Sequence, residues 1–512
     1  MVALIAMGAG CYFGVAEAGE KLSPVIIDGE FDDWEAIDPI VSDPPDAPAA
    51  AVDLRDLKVR DDATWLYFAI SWDGTVNAQG MPGSVRILLD ADGDSATGSR
   101  LGDLVGVDAV VELSRLDRPR GNGYGAGNGL RPVTAEGGDT STILSGALGG
   151  LTVAPTYAAS RIELRVRRGT HLPGVSPLFL GSLIRMQVLF ETESGITDRT
   201  DVAVHALLTP AAPAVPLTSA VSVALRPGQV RVVVWNVSGT RPRDEPDAFG
   251  RVMAALAPDV ILLDEVWERV TEEAIRDLLA PIPGEAPWNV HLGKSGGRQK
   301  TVIASRHPLR AVDDMRAMSY PPGVLDSLVR TAGLNPRLAE IEERVGLAMT
   351  GAWVTLGGRE VLFVPFDFQS AGYAGSPEDR LRVLQATILR DAVREALRGA
   401  KDSLVVLGGD VNLVGSEEPL RILEADGRQR ARLPRLADGT LDTWRNPKQD
   451  LFTPGRLDYL IWGGLGLRFV RGFPFEPAEL NPEALRRLGI RAEDAATISD
   501  HLPLVGDFVI AR

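Results

Sequence analysis

Histidine is scarce in this 512-residue chain, which has five, and one of them, His501, stands beside Asp500 in ATISDHLPLVGD (496–507) at the start of a closing apolar run. Other polar residues are placed the same way, at the end of an apolar run or inside it. They are Asn236 in VWNVSG, Glu265 in ILLDEVW, Asp410 and Asn412 in LGGDVNLVG, and Asp458 in GRLDYLIW. An ionised carboxylate at a buried strand end is costly unless it is paired or holds a metal. Taken singly, each residue has a structural reading: a turn cap for Asn236, an Asx turn for Asp410 and Asn412, a salt bridge for Glu265, a hydrogen-bonding role for His501. Taken together they point to one catalytic site assembled from distant segments.

Strands must carry these residues, and the flanking sequence supplies them. VRVVVWNVSG, DVILLDEVW and SLVVLGGDVNLVG are near-continuous apolar runs, as expected of strands covered on both faces. Between them, EPDAFGRVMAALAP and TEEAIRDLLAPI have helical periodicity, and 378–399 reads as a long amphipathic helix through Leu381, Leu384, Ile388, Leu389, Val393 and Leu397. Residues 313–346 read as a helical insertion. Strand–helix alternation over 228–512 implies sheets covered by helices.

The region before it has a different grammar. Residues 23–208 contain short alternating or β-branched runs bounded by Gly, Asp and Pro, among them the run with Leu57 and Val59, the run with Trp65, Tyr67 and Ala69, 161–168 and 184–193. They read as a β-sandwich, with 118–150 as a long Gly/Thr/Ser-rich loop. The Pro- and Ala-rich stretch within 209–227 reads as a linker. Residues 2–16 are almost wholly apolar and Ala16-Glu17-Ala18 has the form of a signal-peptidase site, although a basic n-region is missing. The expectation is a leader over 1–18, a secreted or periplasmic location, and a mature chain with no membrane span and, once Cys11 is removed, no cysteine. The net charge of -16 argues against non-specific duplex DNA binding.

GGDVN and SDHLP, with WN, DE and LDY in the same order, resemble the endonuclease/exonuclease/phosphatase superfamily over about 228–510. The resemblance implies an α/β four-layer (α-β-β-α) DNase I-like sandwich domain that hydrolyses phosphate esters, so the expected fold class is an N-terminal all-β sandwich followed by that domain. It implies that Glu265, with Asn236 and Asp500, holds a divalent ion. Hard oxygen donors without cysteine or clustered histidine suit Mg²⁺, Mn²⁺ or Ca²⁺. It further implies that Asp410 orients or deprotonates water, Asn412 donates to a phosphate oxygen, and His501, held by Asp458, acts as acid/base or transition-state donor. One segment departs from the pattern. In VLFVPFDFQSAG the family carries Asn-x-His where this chain has Pro365 and Asp367. Asp367 either recruits a second ion, is tolerated, or weakens activity, and His291 in WNVHLGKSGG is a candidate replacement donor.

IDGEFDDW, WLYFAISWDG and LLDADGDSATG resemble a family 9 carbohydrate-binding-module-like or DOMON-like sandwich over about 24–208. Such a domain implies a glycan or surface ligand, with Trp34, Trp65 and Trp72 as aromatic candidates, of which Trp34 and Trp65 read rather as core. Asp90, Asp92 and Asp94 alternate as in a calcium loop, with a polar turn as the equal alternative. The substrate class is not readable from these residues. The alternative function is a secreted binding protein whose hydrolase-like domain no longer turns over.

Overall fold

The computed structural model describes residues 25–47, 52–116, 127–134, 143–212, 218–219, 222–400, 403–446, 451–452 and 455–511. The expected leader, Cys11 and part of the expected linker lie outside the described residues.

Among the described residues the N-terminal unit has, besides a two-stranded hairpin of Ser99–Leu101 with Leu104–Val107, two large antiparallel sheets around one main core. One runs, in spatial order, Val41–Ser42, Asp53–Asp61, Trp65–Val76, Ala159–Arg167, Leu151–Ala154. The other contains Ser84–Asp90, Ala109–Ser114 and Leu183–Thr192 at its centre. Leu54, Leu57, Phe68 and Leu164 from the first sheet meet Val85, Ile87, Val111 and Phe190 from the second. Leu151–Ala154 alternates in burial, whereas Trp65–Ile70 and Ala109–Ser114 are buried on both faces, the outer ones covered by smaller clusters that include Trp34 with Tyr67 and Leu104 with Val110. Two expectations change here. The stretch expected as a loop over 118–150 includes strands Gly129–Pro132 and Leu144–Ser145 at the edge of the second sheet. Gly129 permits that pairing, since a Cβ there would lie 2.4 Å from the Leu144 carbonyl oxygen. Trp72, a candidate sugar platform, is buried in the shared core, as Trp34 is in a smaller cluster.

The C-terminal unit has two mixed sheets. Seven strands bear on the site: β1 (Val230–Gly239), β2 (Val260–Val266), β3 (Lys300–Ser305), β4 (Arg359–Asp367), β5 (Leu404–Asp410), β6 (Asp458–Gly463) and β7 (Leu504–Ile510). The first sheet places β3, β2, β1 and β7 side by side, and the second places β4, β5 and β6 side by side. Val232, Val234, Leu262 and Ile303 of the first sheet pack on Phe363, Val406 and Leu460 of the second. The remaining faces are covered by helices. Helix α1 (Pro246–Leu256) packs Phe249 and Val252 on the first sheet. Helix α2 (Pro377–Ala396) packs Leu381, Leu389 and Val393 on the second. Ser376 starts α2 by accepting the Asp379 N–H, with proline at the first helical position. Two short helices, Val324–Ala332 and Pro336–Val345, fill the expected insertion. No helix among the described residues is long and apolar enough to cross a membrane.

Between β1 and β7 lies a fully buried ion pair. Arg231 donates to Asp507 through Nε (2.7 Å) and Nη2 (2.9 Å), and to the Leu256 carbonyl through Nη1. Removing one partner of such a pair strands the other charge. Asp507 also accepts from Arg471 at 2.9 Å, so the variant that strands a buried charge is Asp507→Leu, which leaves the Arg231 guanidinium without its carboxylate and is expected to destabilise the protein by about 3–5 kcal/mol, read as a lowered urea midpoint at unchanged slope. A midpoint within error of the parent would refute this.

Candidate active site

The second sheet brings three aspartates abreast. Asp367 at the end of β4 is the register partner of Asp410 at the end of β5, and Asp410 is the partner of Asp458 at the start of β6. All three are buried. Two glycines make the approach possible. A Cβ at Gly408 would lie 2.5 Å from a Val234 methyl of the facing sheet, and one at Gly409 would overlap the Phe366 carbonyl. The GG of LGGDVN thus lets β5 close against its neighbours.

The first sheet supplies the opposing groups. Asn236 donates through Nδ2 to Glu265 (3.1 Å) and to Asp410 (3.5 Å), while its Oδ1 accepts the Ser238 N–H. Ser238, Glu265 and Asn412 have φ of 50°, 50° and 52°, a left-handed conformation that costs free energy in non-glycine residues. The β1–β2 and β2–β3 registers shift at these places. Such bulges re-aim side chains. Period-two alternation would send neighbours Asp264 and Glu265 to opposite faces, yet both act on the same cluster of carboxylates.

His501 joins the two sheets. Its Nδ1–H donates to Asp458 at 2.9 Å, and its Nε2 lies 3.8 Å from Asp410 Oδ2. Asp458 is fixed from behind by the Thr443 hydroxyl at 2.6 Å. The Trp235 indole N–H donates to the His501 carbonyl. Burial works against the imidazolium, but Asp458, its hydrogen bond and Asp410 outweigh it and push the pKa up to about 10. Burial, reinforced by neighbouring carboxylates, lifts Asp264, Asp367 and Asp410 well above the usual carboxylate range.

Several expected roles change. Asn412 directs Nδ2 to the Phe368 carbonyl (2.9 Å) and to Asp367 (3.4 Å). Its N–H donates to Asp410 at 2.7 Å, so the Asx turn is present as well. Asp500 accepts from the Ser238 hydroxyl and from the Trp444 indole, both at 3.0 Å. Asp367 does face the cluster and accepts from Gln299 at 2.8 Å. His291 does not join it. Its Nε2 pairs with Thr350 at 2.8 Å, and burial together with Arg316 lowers its pKa to about 4. In the N-terminal unit two acidic groups could hold a cation, Asp43, Asp46 and Asp198, and Asp90, Asp92 and Asp108; in the second, Asp108 stands where Asp94 was expected, because the chain turns after Asp90 and Asp94 accepts the Ala96 N–H.

Residues outside the expected set also belong to the centre. Asp264 is wholly buried and neither of its oxygens has a partner. Thr443, Trp444 and Gln299 orient Asp458, Asp500 and Asp367. The carboxylates of Asp264, Glu265, Asp367, Asp410 and Asp458 act on one another with His501 as the cation among them. Buried like charges of this density fit a bound divalent cation, and every donor is a hard oxygen. The ligand atoms of Asp410, Asp458 and His501 lie within 4.8 Å of one another, but Asp458 is committed to the imidazole and Thr443. Glu265 instead opens to a cleft of about 760 Å³ lined also by Ser238, Arg298, Gln299 and Arg344.

The family model described as "Endonuclease/Exonuclease/phosphatase family" matches residues 233–501. No curated protein matches the chain. Among solved structures, the chain is similar to truncated Caenorhabditis elegans TDP2, at 19% identity over 56% of this chain and 100% of that one, with a TM-score of 0.39. It is similar to Bacteroides thetaiotaomicron mannosyl-6-phosphatase at 16% identity, over 55% of this chain and 100% of that one, with a TM-score of 0.36. The human Nocturnin catalytic domain with bound sulfate is similar at 15% identity, over 56% of this chain and 96% of that one, with a TM-score of 0.36.

Proposed function

Since the chain belongs to the endonuclease/exonuclease/phosphatase family, the matched span being more than half of it, we propose that it is an exported, divalent-metal-dependent phosphoesterase. The observation that carries this reading is His501, held by Asp458 behind and facing Asp410 ahead, across from Asn236 and Glu265. Hydrolysis of a phosphate ester needs a positioned water, a proton route and neutralisation of developing charge. Asp410, buried at the end of β5 and 3.8 Å from His501 Nε2, is placed to take a proton from water. The His501 imidazolium presents Nε2 as donor to a phosphoryl oxygen. Glu265, with Asp264 beside it, would hold Mg²⁺ or Mn²⁺, which supplies charge neutralisation. Asn236 positions Glu265 against Asp410, and Asp500 braces the turn that carries His501.

Export rests on the apolar stretch at 2–16. The N-terminal unit is read as a carbohydrate-binding-module-like or DOMON-like sandwich, and the C-terminal unit as an α-β-β-α arrangement. The second reading, a binding protein without turnover, is favoured by Asp367 alone, because a carboxylate repels phosphate unless a cation lies between them.

One experiment separates the two. The purified protein is expected to hydrolyse a chromogenic bis-phosphodiester with Mg²⁺ or Mn²⁺ and to lose that activity in EDTA. Asp367→Asn is expected to raise the metal concentration needed for half-maximal rate by about 10–100-fold, the usual cost of altering a group that supports a metal site. Rates unaffected by EDTA would remove the metal-dependent reading.

A further inference from the structure

A second cleft, of about 670 Å³, lies between the two units and reaches the centre at Ser238, Ser499 and Asp500. Its volume falls in the range of small-molecule sites. The N-terminal unit forms one wall with Trp65, Thr152 and Arg165, and the C-terminal unit faces it with Arg241, Asp438 and Trp444. The walls are tied together. Arg165 donates to Asp438 at 2.7 Å, and its guanidinium lies 3.7 Å over the Trp65 ring. Near the same junction, the segment following Asn412 is gripped by the N-terminal unit: the Thr156 hydroxyl donates to the Leu413 carbonyl at 2.6 Å, and the Ala158 N–H to the Gly415 carbonyl at 2.8 Å.

The lining selects among ligand chemistries. Arg165 has a side chain only 4% exposed, and its Nε has no acceptor; Arg445 Nη2, also in the lining, has none either. Buried N–H groups of this kind call for an acceptor. A nucleobase cannot stack on the Trp65 face that Arg165 covers, and Trp444, the other tryptophan of the lining, is partly buried and held through its indole N–H by Asp500. An acyl chain would need an apolar slot, and four arginines line this one. A long polyanion would need unpaired cations, whereas Arg165, Arg435 and Arg445 are bound to Asp438, Asp442 and Glu476. Hydroxyl groups fit, because each donates to a carboxylate and accepts from a guanidinium at once.

We infer that this interdomain cleft is a subsite for a polyhydroxylated group, glycosyl or cyclitol, carried by the phosphate ester, and that the N-terminal unit builds half of it. The inference rests on the phosphoesterase reading for what lies next door, but the subsite binds whether or not the neighbouring centre turns over. Thr152 is half-buried on the wall contributed by the N-terminal unit, paired in register with Arg165, and a tryptophan there would fill the cleft. Arg241 is exposed on the opposite wall.

The test uses the full chain and calorimetry with hexose 6-phosphate, myo-inositol 1-phosphate and a dinucleotide as probes, in an Asp410→Ala background so that binding is read without turnover. Thr152→Trp is expected to weaken one or both polyol phosphates at least tenfold, Thr152→Ser to stay within twofold, and Arg241→Ala to weaken them about fivefold. Which polyol phosphate is lost tells glycosyl from cyclitol. Equal binding by Thr152→Trp and its parent, or a preference for the dinucleotide, overturns the subsite. If Thr152→Trp does not fold, Arg241→Ala decides alone, and unchanged affinity there overturns it equally. Polyol binding without any ester hydrolysis by the parent protein would remove the phosphoesterase reading and leave the subsite standing. Chromogenic ester hydrolysis with unaltered polyol binding in the variants would do the reverse.

Discussion

His501→Ala and Asp410→Ala are each expected to lower kcat/KM toward a bis-phosphodiester by about 10²–10⁴-fold, the range for loss of a positioned acid or base. His501 and Asp410 face each other at 3.8 Å across the meeting of the two sheets. The histidine expected as a replacement donor, His291, is bonded to Thr350, and the charges that act on it are Arg316, Glu272 and Asp313 and not the carboxylate cluster. The two losses should not multiply. Groups that act as a unit show strongly non-additive effects, so the double variant is expected to resemble the worse single one. Rates equal to the parent in both single variants would remove the catalytic assignment. The folded state is controlled by the circular dichroism melt of each variant.

The second large effect is expected at Asp458. Asp458→Asn removes the charge that holds the His501 imidazolium, and the pKa of about 10 should fall toward the ordinary value. The alkaline limb of the pH–rate profile then moves down by more than a unit, and activity at pH 8.5 drops by about 10²-fold as the donor loses its proton. A purely structural role would lower the rate at every pH equally and leave the limb in place. Stability follows the same linkage. A histidine pKa raised on folding contributes stability in full below its unfolded value of about 6.5. That contribution is lost as pH rises through the folded value. The Tm difference between parent and Asp458→Asn is therefore expected to be largest near pH 6 and to shrink toward pH 10. A difference that grows with pH would contradict the pairing.

Much of this centre is legible in the chain itself. Asn236, Glu265, Asp410, Asp458 and His501 announce themselves because a polar residue in an apolar run is expensive, and the runs are long enough to be strands. Asp264 sits in the same run as Glu265 but escapes notice, since neighbours on a regular strand face opposite ways and only the left-handed turn at Glu265 defeats that rule. Thr443 and Trp444 lie in a stretch without periodicity, where sequence spacing carries no spatial information. Asp94 and Asp108 exchange places because adjacency along a turn is weaker than adjacency across strands. The engagement of Asn412 with Phe368 is likewise tertiary. The joint wall built by Arg165 and Asp438 depends on how two folded units dock, and neither residue stands out locally.

The bond between His501 and Asp458 also has a mechanical meaning. One partner precedes a strand of the first sheet and the other begins a strand of the second. Sliding one layer past the other by the width of an atom would therefore trade the imidazole's carboxylate for solvent or for Asp410. The proton on His501 thus depends on the alignment of the two layers, since the carboxylate that holds it belongs to one and its own segment leads into the other.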